Sequence, residues 1–187
     1  MFSELIRKNR TKRIFNGTSV SFDLLEELIE DCRFSASTYN RQSIRYILIN
    51  NDRICSDIFK ITNLPSTHKV PIQNKPGAFV VMVVDREINL PESFLYYNLG
   101  IATANLTLSA ASKGYSCATL LSTNFEKLSK ILSLSKEKRA VSIIAVGMSD
   151  QKVLTTDIKE GDTSYYKEGT THVVPKLTVE SLIYRKI

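Results

Sequence analysis

Apolar residues in this chain fall into short periods, some helical and some strand-like, separated by polar or proline-marked breaks. Phe2, Leu5 and Ile6 keep a helical spacing. After a turn at Asn16-Gly17, a second helix is predicted to begin beyond Ser21, with Leu25, Leu28, Ile29 and Cys32 on its buried face. Residues 46–49 read as a buried strand, and a short helix carries Ile54, Ile58 and Ile61. A loop punctuated by Pro65, Pro71 and Pro76 follows, long enough to be functional or mobile. Residues 78–84 form an unbroken β-branched and apolar run, the mark of a strand covered on both faces.

The longest predicted helix spans 92–113 and ends at Gly114, where a left-handed cap is required. Its Gly100, Ala102, Ala104, Ala110 and Ala111 permit close backbone approach, to a sheet or to the same helix in a second copy; plain core packing accounts for them too. A third strand is predicted at 115–121, a helix opening on the capping box Thr123-Asn124-Phe125-Glu126, and a fourth strand at 140–146 ending at Gly147. Residues 150–171 are polar and poorly periodic, so they read as an extended arm or a partly ordered excursion; apolar character returns over 173–187. Helices alternating with buried strands would, by pattern alone, give a parallel doubly wound sheet.

Length changes the picture only by bounding it: 187 residues suffice for one substantial core, and a single domain over 1–187 is expected. No apolar run reaches the roughly 18 residues that a membrane span needs, and no signal-peptide pattern opens the chain, so a cytoplasmic protein with no membrane partner is expected. Cys32, Cys55 and Cys117 are odd in number, far apart and set among apolar neighbours, which suits reduced packing thiols. The formal charge of +6 fits either a polyanionic partner or a solubility surplus with a site for a phosphate-bearing cofactor. Arg7, Lys8, Arg10, Lys12 and Arg13 hold the densest positive charge, but no aromatic interleaving or nucleic-acid motif surrounds them; no nucleic-acid partner is expected.

Several chemistries lack their motifs. The glycines form neither a dinucleotide fingerprint nor a phosphate loop. His68 and His172 stand in no short zinc-ligand pattern and read as ordinary loop histidines, so no metal is expected. No serine sits in a nucleophile elbow. Two polar clusters stand out instead. In Asn9-Arg10-Thr11-Lys12-Arg13-Ile14-Phe15, two arginines flank a hydroxyl, a set able to hold a phosphate by bidentate charge-assisted hydrogen bonds; basic residues after a helix also simply complement its dipole. In Ala36-Ser37-Thr38-Tyr39-Asn40-Arg41-Gln42-Ser43, small hydroxyls and amides lead into a strand, either as a ring-reading loop or as a turn.

These two segments resemble, in order and spacing, the N-terminal flavin-binding segments of the nitroreductase family, which read Arg-Arg-Ser-x-Arg-x-Phe and Pro-Ser-x-x-Asn-x-Gln-Pro. Asn9 stands in place of the first arginine, and Ala36 and Ser43 in place of the two prolines. The resemblance covers nearly the whole chain. It implies an α+β fold with a mixed, mainly antiparallel sheet wrapped by helices, and a C-terminal arm exchanged in a homodimer. It implies FMN at the subunit interface, with Arg10, Thr11 and Arg13 on the phosphate and the ribityl or pyrimidine end. Ala36, Ser37, Thr38 and Asn40 would reach the flavin of the partner subunit. Backbone groups at Leu121 and Ser122 would lie against its N5, where relatives often carry glycine or an acid. Pro175-Lys176-Leu177-Thr178-Val179-Glu180 resembles a late Arg-x-Pro-x-Glu segment and makes Lys176 a further phosphate contact. Lys75 would place positive charge near the pyrimidine.

The implied activity is an FMN-dependent oxidoreductase: hydride from NAD(P)H, passed through the flavin to a nitroaromatic, quinone or flavin acceptor by a ping-pong mechanism, with no catalytic side chain named. Little chain separates the second strand from the long helix, so an open pocket of broad acceptor specificity is expected. The rival is a non-enzymatic flavin-binding or regulatory dimer of the same fold, kept open by Asn9, Ala36, Ser43 and Ser122.

Overall fold

The computed structural model describes residues 2–62 and 70–187; Pro65 and His68 of the sequence reading lie outside the described residues. The chain divides into two compact units, Met1–Ser149 and Asp150–Ile187. In the first, chain order runs α1 (Phe2–Lys8), α2 (Phe22–Cys32), β1 (Arg45–Ile49), α3 (Asp52–Ile61), β2 (Ala78–Asp85), α4 (Glu92–Ser112), β3 (Ser116–Thr119), α5 (Phe125–Ile131) and β4 (Lys138–Gly147). The four strands form one sheet in the order β1-β2-β4-β3, and every neighbouring pair is antiparallel.

That direction corrects the parallel sheet suggested by pattern alone and agrees with the fold implied by the resemblance. The run at β2 is apolar because it is buried on both faces, and burial on both faces says nothing about strand direction. Successive side chains of β2 point to opposite sides. Val80, Met82 and Val84 join Leu25, Leu28, Leu95 and Leu106 in a core beneath α2 and α4. Phe79, Val81 and Val83 join Phe15, Ile58, Leu128 and Ile143 in a second core that includes residues of α3 and α5. The ladder between β2 and β4 slips at Met82/Val83, where Val141 is passed over as a bulge.

Helix starts follow side-chain chemistry. Ser21 accepts from the Leu24 amide and Asn51 from the Ile54 amide, each cap contributing about 1 kcal/mol. The capping box at α5 is displaced by one residue: Asn124, not Thr123, accepts from the Lys127 amide. Thr123 is held in a bridge with Thr62 and donates its hydroxyl to Leu120 O, so the next residue takes the cap. α4 stops before Gly114, whose φ of 82° provides the expected left-handed exit. Within this chain Gly100 is not a close-approach point, since a β-carbon there would meet nothing within 4 Å.

The second unit contains β5 (Val153–Ile158), β6 (Tyr166–Glu168), β7 (Thr171–Leu177) and α6 (Val179–Leu182). Its sheet has the order β5-β7-β6, with β5 parallel and β6 antiparallel to β7. The stretch that reads as patternless therefore holds strands. Most of β5 and β6 is exposed or half-buried, so no alternation of apolar and polar residues marks them. Pro175 lies past the reach of β6, where its missing amide hydrogen breaks no antiparallel rung. No helix among the described residues is long and apolar enough to cross a membrane.

Candidate functional site

The chain after α1 is fixed by backbone bonds to strand ends. Lys12 N–H donates to Cys117 O of β3, and Asn16 N–H to Met148 O just past β4. Phe15 N–H donates to Asn74 O while the Asn74 side-chain amide donates back to Phe15 O, and the Phe15 ring is sunk in the core. Gly77 and Gly147 make room: a β-carbon on Gly77 would come within 1.9 Å of Thr18 O, and one on Gly147 within 3.0 Å of the Phe15 ring. Residues 10–13 are thereby presented half-buried or exposed. Arg10 uses two of its donors locally, Nε to Asn9 O at 2.7 Å and Nη2 to Ile6 O at 2.8 Å, so it also serves the C-terminal end of α1. Asn9 donates to the Thr107 hydroxyl of α4 at 3.0 Å.

The second cluster is held by α4 at another point. Thr38 donates twice to Asn98 Oδ1, from its amide and its hydroxyl, each at 3.1 Å. Ser37 Oγ accepts from the Gln42 amide, Arg41 donates to Asn89 O, and Asn105 donates to Ser35 Oγ at 2.8 Å. Pinned in this way, the loop carries Tyr39, Asn40 and Gln42 at positive φ between 46° and 52°. Such backbone conformations cost on the order of 1 kcal/mol or more apiece and persist only where the surroundings impose them. Ala36, Tyr39 and Asn40 are exposed, and Ser37 and Thr38 half-buried.

Asn98 and Thr107 lie nine positions apart on α4, which is about 13.5 Å along the axis and half a turn in azimuth. One chain thus anchors its two polar segments on opposite sides of the same helix. Leu121 and Ser122 form the exposed turn after β3, close in sequence to Cys117 and so to the anchor of residue 12. Lys75 pairs with Asp52 at 2.7 Å, with its own side chain largely covered. Lys176 is exposed on β7, in the second unit.

The sequence reading missed three residues that shape this region: Asn74, Gly77 and Asn98. Asn98 carried a usable signal, a polar side chain at a buried position between Leu95 and Leu99. Asn74 and Gly77 had none, because their partners are remote in sequence. The thiols are poor nucleophiles. Burial pushes Cys32 and Cys117 up to about 12 and Cys55 up to about 11, and all three are free. Among the described residues no group of three or more His, Cys, Asp or Glu gathers to hold a metal ion.

The arrangement is an anion-ready segment beside a strand end, with a hydroxyl and amide loop on the far side of the long helix. A search of curated proteins finds no match. Among solved structures, a nitroreductase family protein from Streptococcus pneumoniae TIGR4 is similar over 100% of both chains at 15% identity and TM-score 0.74. A nitroreductase family protein from Clostridium novyi NT is similar over 80% of this chain and 86% of its own, at 21% identity and TM-score 0.69. An FMN-dependent nitroreductase from Clostridium difficile R20291 is similar over 79% and 87%, at 14% identity and TM-score 0.66. These likenesses establish the fold. The family model for the nitroreductase family matches residues 6–148, which include both polar segments and the whole four-stranded sheet, and on that match the chain belongs to the nitroreductase family.

Proposed function

We propose that this protein is an FMN-dependent oxidoreductase working as a homodimer in which each flavin site is completed by the second copy. The observation that carries this reading is the placement of the two polar segments on opposite sides of α4. That placement favours a ligand that takes one segment from each of two chains. Arg10 and Arg13 supply planar guanidinium donors and Thr11 a hydroxyl, a donor set that fits a phosphate monoester. Ser37, Thr38 and Asn40 supply neutral donors and acceptors of the kind that read a heteroaromatic edge. The exposed turn at Leu121 and Ser122 offers backbone amides beside the first segment, and Lys75 and Lys176 add positive charge. In this reading the second unit is the C-terminal arm of one domain over 1–187, exchanged between the two copies.

Bound FMN would supply the two-electron chemistry, with NAD(P)H as donor and a nitroaromatic, quinone or flavin as acceptor in two successive half-reactions. The protein's own part is positional. Arg10, Thr11 and Arg13 hold the anionic end, and the strained loop of residues 37–40 holds its shape without rearranging on binding, which lowers the ordering cost. No side chain is assigned to proton transfer. β2 ends at Asp85 and α4 begins at Glu92, leaving only residues 86–91 between them. So short a connection cannot build a helical lid, which favours an open site of broad acceptor range. The buried free thiols suit a reducing, cytoplasmic setting.

The test is the visible absorption spectrum of freshly purified protein, with the chromophore released by denaturation and identified by mass. A flavin spectrum with FMN released, and NAD(P)H-dependent reduction of menadione or nitrofurazone, is the expected result. Colourless protein that takes up no added FMN would sink the site assignment and leave the family fold standing. Protein that binds FMN yet reduces neither acceptor would favour the non-enzymatic dimer.

A further inference from the structure

Behind the loop of residues 35–43 lies a cleft of about 190 Å³, closed by the end of α2, the start of β1 and one face of α4. Ser37, which the proposed function sets against the flavin, stands in its wall, so the cleft and the proposed flavin half-site share this loop. Thr107, where the Arg10 segment is anchored, is not among its walls. Ala36 and Ser43 both line it, the two positions at which this chain departs from the prolines of the motif it resembles.

Its chemistry is specific. Asn98 and Ser43 stand in the wall, and Asn98 Nδ2 and Ser43 Oγ are buried without a hydrogen-bond partner. The Thr38 amide can only donate, so it fixes Oδ1 of Asn98 towards the loop and leaves Nδ2 as the unmet donor. A buried donor left unpaired keeps its full desolvation penalty, which an acceptor reaching it would recover. Two arginines and no acid line the cleft. Arg33 is already paired with Glu30 at 2.6 Å. Arg45 turns Nη1 to the carbonyls of Gln42 and Ile44 and has no ion-pair partner among the described residues. Cys32 and Ala102 give the cleft apolar wall, both nearly fully buried.

We propose that this cleft binds a small monocarboxylate with an apolar body of single-ring size, the carboxylate facing Arg45, Ser43 and Asn98 and the ring against Ala102 and Cys32. The assignment goes beyond the oxidoreductase reading and does not rest on it.

The test is a titration of the isotope-labelled full chain, as purified, with benzoate and with its neutral isostere benzamide. Its readout is the side-chain NH₂ signals of Asn98 and the backbone signals of Ser43, Arg45 and Ala102 in nitrogen–proton correlation spectra. Benzoate is expected to move these signals saturably, with a dissociation constant on the order of 1 mM, and benzamide to bind roughly tenfold more weakly. Arg45→Gln should abolish that preference for the charged ligand. Ala102→Val should remove the saturable shift while leaving the remaining spectrum folded, and Ala102→Ser, which adds less bulk, should retain it. No shift at about ten times that concentration overturns the proposal. So does an undiminished response in folded Ala102→Val, a response centred on residues 10–13, or a change in the Asn98 signals on dilution without benzoate, which would assign the cleft to a second copy of the chain. Because FMN uptake is read separately by absorption, a chain that binds benzoate here but takes up no FMN upholds the cleft and sinks the reductase, and the converse result does the opposite.

Discussion

A β-carbon on Gly77 would lie 1.9 Å from the backbone carbonyl oxygen of Thr18, and backbone cannot swing aside as a side chain can. Gly77→Ala must push residues 15–18 away from the strand ends, and with them the segment carrying Arg10 to Arg13. Its expected cost is about 3 kcal/mol by denaturant unfolding, with FMN affinity falling in the fraction that folds. Gly114→Ala is the matched comparison. It sits at φ 82° with nothing within 4 Å of the added carbon, so only backbone strain opposes it, about 1 kcal/mol. Equal losses at the two positions would show that the close approach at Gly77 is not what fixes the segment. The sequence announced Gly114, because a glycine after an apolar helix is a local signal. It was silent on Gly77, whose requirement comes from a chain segment some sixty residues earlier.

α2 and α4 are joined by packed leucines, by the Cys32 thiol donating to Ala102 O, and by a polar clasp at Asp31. Asp31 accepts from the Ser109 hydroxyl at 2.5 Å and from the Lys113 ammonium at 3.2 Å, and these bonds, Ser109 first, hold its carboxyl below the ordinary carboxylate range. A carboxyl depressed in the folded state stabilises fully above its unfolded pKa and loses that contribution as pH falls through the folded value. Wild type is therefore expected to be more stable than Asp31→Asn at pH 7. The difference should shrink toward zero as urea melts are repeated below about pH 4. A difference that holds constant with pH would mean the hydrogen bond matters but the charge does not. At this scale α2, β2 and α4 were readable because each carries its own signal: a cap, an unbroken apolar run, or a long helix closed by glycine. The strands of the second unit were not, since β5 and β6 carry little burial and hence little alternation.

For the whole molecule, the composite site makes a prediction that no single-chain site shares. Arg13→Ala and Asn40→Ala each remove a contact from every site of a homodimer, and each is expected to weaken FMN binding roughly tenfold or more. Mixing the two variants under conditions of subunit exchange forms heterodimers in which one site carries both alanines and the other carries neither. With random pairing, about a quarter of all sites regain wild-type affinity, measurable by fluorescence titration with FMN. No recovery on mixing would place both segments around one flavin within one chain and remove the observation on which the proposed function stands.

The sequence by itself determined which stretches are helix and which are strand through most of the first unit, because apolar period, caps and glycine stops are local properties of the chain. It also determined the order of the two polar segments and the resemblance they carry, since order and spacing survive when individual residues such as Asn9, Ala36 and Ser43 change. Only the tertiary structure decided strand direction, because a strand buried on both faces looks the same parallel or antiparallel. Only it decided that α4 separates the two segments by half a turn, that Asn98 holds the second of them, and that a cleft opens at Ala36 and Ser43. Those are relations between residues far apart in the chain, and they arise when packing against a common helix fixes their distance.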